Sequence, residues 1–578
     1  MSITAPLKLS QTKPDFESLL MQLQLYLNAS GTWTDLQTSS TGETLMEMMA
    51  AVGTFNQFAI EGAARETTLT TAARDSSIYA ITRMLGVRIH RKYPAGVDVA
   101  LSRIDTASSI AIAPYTVFSV NGKDFFNRNP LMFAQGSTKA SERLFYGTSK
   151  EVVDTRSLRL DLSAINVSKL SHQDTFVLLV NSGPDNGKLK NVVYVGGNVG
   201  DDLFQLVDSE TSFLGLTTAT RISLLRNGVR LYEGTIKQET ILSDGAPFKE
   251  VYLAESSFNI SDVDVRVQVI NVDNNSVVTW GLTSEGMWTA GPNENVYYDS
   301  TSGLGDTIIT FGDGLTGAIP TLGNVIKFTY AVTGGSAANN GLTNLQVASA
   351  QLAWVSGVTT SVISGGADQK PSSYYRFMAP LIFKARNRGV TDADYRAVSL
   401  DYPGIISASI SAQRDIAPYD LRWMNQLRVC LLPIDTSVTA LTTSEWNEFL
   451  LYMKKKRHAA VNIVTINPTV QNAVVELTLA LKQQYVSSSV VPVAEAKVQA
   501  LFNRQSDTLG RRIPVSDVVR AAMVEGVDYV DVDKCKLTTY SLESADLVPN
   551  DLNHFIVLDS LLISSKYSER SIYSDGSN

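Results

Sequence analysis

At Tyr93 the apolar residues of this chain stop recurring at helical spacing and begin to alternate, and past Gly365-Gly366 the pattern changes again. A helix buries one face every 3.6 residues and a strand one face every two, so no single layer serves both patterns. Before Tyr93, Phe16, Leu19, Leu20, Leu23 and Leu27 follow Pro14, which suits a first helical turn. After a polar linker holding Trp33 and Asp35, Ser40-Thr41-Gly42-Glu43 has the form of a capping box. The helix it opens carries Leu45, Met48, Met49, Val52, Phe55 and Ala59 on one face. Such a Met-rich stripe is more often core than a recognition surface. A third helix starts near Thr71, carries Ile78, Ile81, Met84 and Leu85, and has Gly86 to end it.

From Tyr93 the reading is β. Val97, Val99 and Leu101 alternate with Asp98, Ala100 and Ser102, and Thr116–Val120 leads into Asn121-Gly122, a strong hairpin signal. Residues 155–225 hold further strand-like runs between Gly-rich turns and form a candidate inserted β module. Strands resume at Val229. Thr310-Phe311-Gly312-Asp313-Gly314-Leu315-Thr316-Gly317-Ala318-Ile319-Pro320 predicts a hairpin, with Ile308–Phe311 as one strand and Val325–Tyr330 as the other.

Beyond Gly366 the signals mix. Ser372–Lys384 and Ser444–His458 read as helices, and Thr391 as the N-cap of a helix with Asp392 and Asp394 in its first turn. Ile405–Ile410, Leu427–Leu432, Ala473–Leu481 and Val527–Val532 read as strands, with helices at Val493–Phe502 and Val515–Met523 between the last two. The expected fold class is multidomain α+β. A helical arm (1–92) precedes antiparallel β domains (93–154 and 226–350) and the β insertion (155–225). An α+β domain (351–470), a C-terminal α+β domain with a candidate inter-subunit contact (471–565), and a polar tail (566–578) follow.

A chain of 578 residues is too long for one core. The net charge of −8 argues against a surface given over to nucleic acid, although a local patch would escape that argument. Cys430 and Cys535 lie far apart with no Cys-x-x-Cys, so two buried free thiols are expected rather than a disulfide framework. The N-terminus lacks the form of a signal peptide and no run is long and apolar enough to span a membrane, which predicts folding in a reducing cytoplasm.

Catalytic patterns are missing. His90, His172, His458 and His554 fall in no metal spacing, and no Gly-x-Ser-x-Gly elbow or phosphate-binding Gly loop occurs. Asp313 alone supplies too few oxygens for calcium. Asp392 and Asp394 have a capping explanation simpler than acid catalysis. Lys454-Lys455-Lys456-Arg457 reads as a solvated helix end, where cations offset the helix dipole. No enzyme activity, cofactor or metal is expected.

Several blocks together resemble a known family. The stretch from Phe311 through Pro320, then Gly334-Gly335, Asn339-Asn340-Gly341, Gly365-Gly366-Ala367-Asp368, Ala379-Pro380, Arg386 to Tyr395 and Tyr402-Pro403-Gly404 are similar to the baseplate J-like proteins of contractile phage tails. Trp33-Thr34-Asp35, Gly42–Leu45, Ala63–Glu66, Thr70–Ala72, Leu85–Val87, Pro94-Ala95 and Leu231–Gly234 resemble the large baseplate wedge subunit of myoviruses. The chain departs from the pattern at Gln369-Lys370-Pro371, where the family often has Pro-Glu.

The resemblance implies a virion structural protein assembled in the host cytoplasm. Two copies would join a second wedge protein in a helical bundle, and the wedges would close into a ring around the hub that rearranges on sheath contraction. Leu45, Met48, Met49, Val52, Phe55 and Ala59 would then face a partner. Phe311, Gly312, Asp313, Gly314, Gly317 and Pro320 would be an architectural turn. Expected partners are a second copy, other wedge proteins, and hub and sheath-proximal proteins, without nucleic acid or a membrane span. The same family serves tailocins and other phage-derived injection systems. A reading from another class is a secreted β-rich carbohydrate-binding or depolymerase protein.

Overall fold

The first helices form because each has an apolar side, and the second also has a capping residue at its start. The computed structural model describes residues 16–30, 40–162, 175–198, 201–207, 212–213, 216–255, 258–283, 286–416, 418–454, 456–505, 507–538 and 546–568. Pro14, Trp33, Asp35, His172, Lys455 and the tail after Ser568 lie outside the described residues. The chain divides into two compact units, the smaller made of Met1–Ile89, Ser302–Leu304 and Pro371–Pro380.

In that smaller unit, α1 (Phe16–Ser30) packs on α2 (Thr41–Glu66), and α3 (Asp75–Met84) follows. Ser40 caps α2 by accepting the N–H of Glu43 at 3.1 Å. The side of α2 facing inward is not the Met-rich stripe. Gly42, Glu43, Met46 and Ala50 are buried, and Gln24 of α1 donates to Glu43 at 2.7 Å. Tyr79 of α3 meets the ring of Tyr375 edge-on at 5.8 Å, and Arg376 donates to the Ala72 carbonyl at 2.5 Å.

The larger unit is mainly sheet. Gly96–Arg103, Val117–Val120, Lys123–Phe126, Val229–Glu233, Gln346–Ala348 and Val355–Thr359 close into a barrel. Its interior is filled by the alternating residues Val97, Val99 and Leu101 with Phe118, Phe125 and Leu231. Asn121-Gly122 makes the expected tight turn, both residues at positive φ, 50° and 75°. Strands between Ile110 and Asn227 form a nine-stranded antiparallel sheet, whose segment 157–224 carries its own core of Leu158, Phe176, Val192 and Phe204.

A seven-stranded sheet runs in the order Thr235–Leu242, Val325–Val332, Ile260–Ile270, Val277–Thr283, Val296–Thr301, Thr307–Phe311, Glu250–Tyr252. This order corrects the hairpin expected around Gly312-Asp313-Gly314. Thr307–Phe311 pairs with Val296–Thr301 and Glu250–Tyr252, whereas Val325–Val332 pairs with Thr235–Leu242 and Ile260–Ile270. The Gly-rich stretch is a crossover between separated strands. Its turn chemistry is local, but strand partners are chosen by distant residues.

Two α+β layers complete the unit. The C-terminal part of α4 (Ser372–Ala385), α5 (Asp392–Asp401), the short α6 (Gln413–Ile416) and α7 (Thr443–Lys454) accompany the sheet Ile405–Ala412, Gln426–Pro433, Asn462–Ile466. Helices α8 (Ser487–Leu501) and α9 (Val515–Ala522) cover the sheet Val527–Leu537, Thr469–Leu481, His554–Tyr567. The last strand, parallel to Thr469–Leu481 and 14 residues long, was not expected from the sequence. Cys430 and Cys535 are free and buried. Among the described residues no helix is long and apolar enough to cross a membrane.

Candidate functional site

Four consecutive polar residues, His90-Arg91-Lys92-Tyr93, enter the larger unit where a chain would ordinarily bury apolar side chains. Each finds a separate partner. His90 Nδ1 lies 2.9 Å from Asp262 and Nε2 3.2 Å from Asp401 at the end of α5. Carboxylates only accept, so both ring nitrogens carry hydrogen and the ring is an imidazolium. Burial alone would lower its pKa, but the charges of Asp401 and Asp262 outweigh it and raise it to about 9. Asp401 is held well below the usual carboxylate range: burial raises it, and His90 more than reverses that.

Arg91, fully buried, forks onto Asp299 with both nitrogen–oxygen distances 2.6 Å. It also donates to the carbonyls of Ile260 and Ser261 at 3.3 Å each. Lys92 Nζ reaches Asn259 at 3.0 Å. Tyr93 donates from its hydroxyl to Glu448 of α7 at 3.3 Å, and its backbone exchanges bonds of 2.8 and 3.0 Å with Ala367.

Glu448 also accepts from the Tyr232 hydroxyl and lies 3.3 Å from Arg230 Nε. Burial would raise its pKa, and Arg230 and Arg128 bring it below the ordinary value. Arg230 meets Asp98 at 3.2 Å. Arg128 pairs with Asp264 and lies 3.4 Å above the Tyr232 ring, a cation–π contact. Tyr402 packs its ring on Tyr93, Phe449 and Tyr452. Lys370, at the departure from the family pattern, donates to the Leu400 carbonyl at the C-terminus of α5, where a cation is favoured.

Glycines let the backbones close around this cluster. Asn339 and Gly366 exchange two bonds of 2.9 Å, and Gly96 and Ser364 pair at 2.8 and 3.1 Å. A Cβ on Gly366 would sit 2.4 Å from the Gly335 carbonyl oxygen. Gly365 and Gly404 have positive φ, 79° and 76°. Thus Leu231–Gly234, Gly334-Gly335, Asn339, Gly365–Asp368 and Tyr402–Gly404, blocks quoted above for their resemblance, meet at one place. The block Gly389–Tyr395 joins at its margin: Thr391 and Asp394 form a capping box, and Tyr395 accepts the His458 N–H at 3.1 Å.

A cavity of about 30 Å³ lies among Tyr93, Arg230, Tyr232, Gly365, Tyr402 and Glu448. That is room for about two waters and not for an organic substrate. What the arrangement does is fix one geometry among the barrel, the seven-stranded sheet and the layer containing α5 and α7. Buried ion pairs contribute little net stability but make broken arrangements costly.

The other residues singled out from the sequence lie elsewhere. Leu45, Met48, Met49, Val52, Phe55 and Ala59 are all exposed on α2, together with Phe58 and Ile60. Phe311 is in the core of the seven-stranded sheet. Asp313 straps its turn, accepting from the N–H groups of Leu315 at 3.0 Å and Thr316 at 2.7 Å and from the Thr316 hydroxyl at 2.9 Å. Gly314 donates to the Gly317 carbonyl at 2.8 Å, and a Cβ on Gly312 would meet that carbonyl at 2.3 Å. Pro320 accepts from Ser243 at 2.6 Å.

Sequence reasoning missed His90, Arg91, Arg128 and Arg230 as a group. The available signal was charge in alternating strand positions: Asp262 and Asp264 lie in Ile260–Ile270, with Asp299 in the strand two places across.

No family model and no curated protein matches the chain. Among solved structures, the sixfold-symmetrised cryo-EM structure of the anti-feeding prophage baseplate is similar at 10% identity, covering 94% of this chain and 90% of that one, with a TM-score of 0.31. The TssK-TssF-TssG baseplate subcomplex of the type VI secretion system is similar at 11% identity, covering 73% of this chain and 96% of that one, with a TM-score of 0.28.

Proposed function

We propose that the chain is a non-enzymatic structural subunit of a contractile-tail baseplate, or of the equivalent plate in a phage-derived injection system. In this reading the helical arm joins it to a second copy and to other wedge proteins, and the larger unit acts as a strut in the ring around the hub. The observation that carries the reading is the meeting at one buried junction of Gly334-Gly335, Asn339, Gly365–Asp368 and Tyr402–Gly404, which resemble the baseplate J-like family, with Leu231–Gly234, which resembles the large wedge subunit. A junction of interlocked charges and close backbones suits a part that must transmit a displacement without deforming. The exposed stripe on α2 adds to it: large apolar side chains left in water on one helix face mark a protein contact.

The test is particle assembly. In cells producing the particle, the full chain should co-purify with assembled tails and image at the baseplate. Met48→Asp/Phe55→Asp should fold with an unchanged melting curve and fail to enter tails. A chain absent from the particle overturns the baseplate reading. Normal incorporation of the double variant overturns only the assignment of the arm contact.

A further inference from the structure

The register of the seven-stranded sheet gathers its loops at one end. Leu242 and Ile270 both face Val325, Ile270 faces Val277, and Phe311 faces Tyr297 while Thr310 faces Glu250. The segments 243–249, 271–276 and 312–324 meet along this edge, and 286–295, which returns from the far end of Val277–Thr283, joins them at Val296. Phe248 donates its N–H to the Gly312 carbonyl at 3.1 Å, Gly317 to the Gly291 carbonyl at 3.1 Å, and Ser243 to the Asn324 carbonyl at 2.9 Å.

This end exposes large apolar side chains from three of the four segments: Phe248 is 55% exposed, Trp288 75%, Leu315 73% and Leu322 72%. A patch of this kind is a recognised mark of an interaction site. Phe248 adds an independent sign, since it sits at φ 51°, a conformation that a bulky residue adopts only under strain. Two other aromatic residues share that conformation, and both gain burial from it. Tyr115 stacks on Phe126, and Phe258 is buried. Phe248 holds its ring out in solvent. Leu315 is likewise presented by the tightly strapped turn around Asp313 rather than by a loose loop. Pre-organised apolar anchors lose little freedom on binding.

The rim gives the partner's charge. Asp244, Asp273, Glu294 and Asp313 lie in these segments, and exposed Glu250 begins the adjoining strand. Among the described residues of the four segments Lys249 is the one cation, and it is paired with Asp244 at 2.5 Å. We infer that this loop end is a docking surface for a partner protein segment with an apolar centre and a lysine- or arginine-rich rim. The inference stands independently of the baseplate reading and of the arm contact.

The probes are two labelled peptides on the full chain, Lys-Arg-Leu-Trp-Leu-Arg-Lys and its counterpart Glu-Asp-Leu-Trp-Leu-Asp-Glu, followed by fluorescence anisotropy. The basic peptide should bind at least about tenfold more tightly, and lose that advantage when the Debye length is cut from about 10 Å to about 3 Å with salt. Leu315→Asp and the pair Glu250→Lys/Asp273→Lys should each weaken it about tenfold or more. Phe248→Gly should weaken binding while leaving the melting temperature unchanged or higher, because glycine accepts the positive φ; a merely structural Phe248 would give a lower one. Met48→Asp/Phe55→Asp should bind normally. No saturable binding, equal binding of both peptides, or loss of binding only on changing α2 overturns the inference. Self-association of the full chain that Leu315→Asp abolishes also overturns it, by making a second copy the occupant.

Discussion

Arg91 and Asp299 meet side by side, each guanidinium nitrogen of the fork 2.6 Å from its own carboxylate oxygen, with both side chains shut off from solvent. The two residues lie 208 positions apart in the chain. Breaking such a pair leaves one buried charge without its counter-ion, whereas removing both leaves apolar volume. Arg91→Met should therefore cost about 3–5 kcal/mol in urea unfolding. The double change Arg91→Met/Asp299→Leu should recover most of that loss. Additive losses would show that the pair is not coupled.

His90 supplies a pH dependence of definite sign. Its folded pKa is raised to about 9 from an ordinary 6.5. Its contribution to stability is fully present below about pH 6.5 and is lost as pH rises through about 9, amounting to something on the order of 3 kcal/mol. Lys370 works in the opposite direction: burial lowers its pKa to about 8 from 10.5, partly offset by Asp401, so its penalty fades as pH rises between those values. The measurement is the difference in urea midpoint between the parent chain and His90→Gln from pH 6 to 9.5, which leaves Lys370 common to both. That difference should shrink as pH rises, and a constant difference would mean that the ring is not titrating against its carboxylates.

Local features were readable in the sequence and long-range ones were not. Thr391 as a cap, Asn121-Gly122 as a turn and the alternation of Val97, Val99 and Leu101 all depend on neighbours within a few residues, and each appears where its pattern placed it. The Gly312–Gly314 turn signal was also genuine, but it could not reveal that Phe311 pairs with Tyr297 and not with the strand after Pro320. His554–Tyr567 escaped because its outward positions mix Val557, Leu562 and Tyr567 with polar residues, which blurs the alternation, and its parallel partner begins 85 residues earlier, at Thr469. The charged junction was hidden for a similar reason: His90 becomes informative only beside Asp262 and Asp401, 172 and 311 residues away. The Met-rich stripe was legible as a pattern, but its exposure depended on which side α1 covers.

Gly366 offers a test of the close backbone packing. Its φ is not in the left-handed region, so the objection to a side chain there is space alone. A Cβ would lie 2.4 Å from the Gly335 oxygen, 2.8 Å from Asn339 Oδ1 and 3.0 Å from Ala95 Cβ. Two of the three are atoms of the Asn339 and Gly335 contacts that hold the junction. Gly366→Ala should lower stability by about 2 kcal/mol or more. Gly122→Ala, at φ 75° with open space around it, should cost only about 1 kcal/mol, as backbone strain. Equal losses would place the cost of both changes in the backbone rather than in the junction.

On the arm, the division between the covered and the open side of α2 predicts opposite outcomes for two methionines two residues apart. Met46 is 3% exposed and lies on the covered side with Ala50, whereas Met48 is 61% exposed. Met46→Ala removes buried methylenes and should cost about 2–5 kcal/mol in whatever transition reports the arm. Met48→Ala touches no packed neighbour and should stay within about 0.5 kcal/mol. Between them, Gln24→Ala should fall at about 1–3 kcal/mol, because it strips the 2.7 Å bond from the buried Glu43 carboxylate. Limited proteolysis gives the local readout: cleavage within α1 should accelerate for Met46→Ala and Gln24→Ala and not for Met48→Ala. If Met48→Ala instead loosened the arm as much as Met46→Ala, the stripe would belong to the arm's own packing and would no longer be open to a partner.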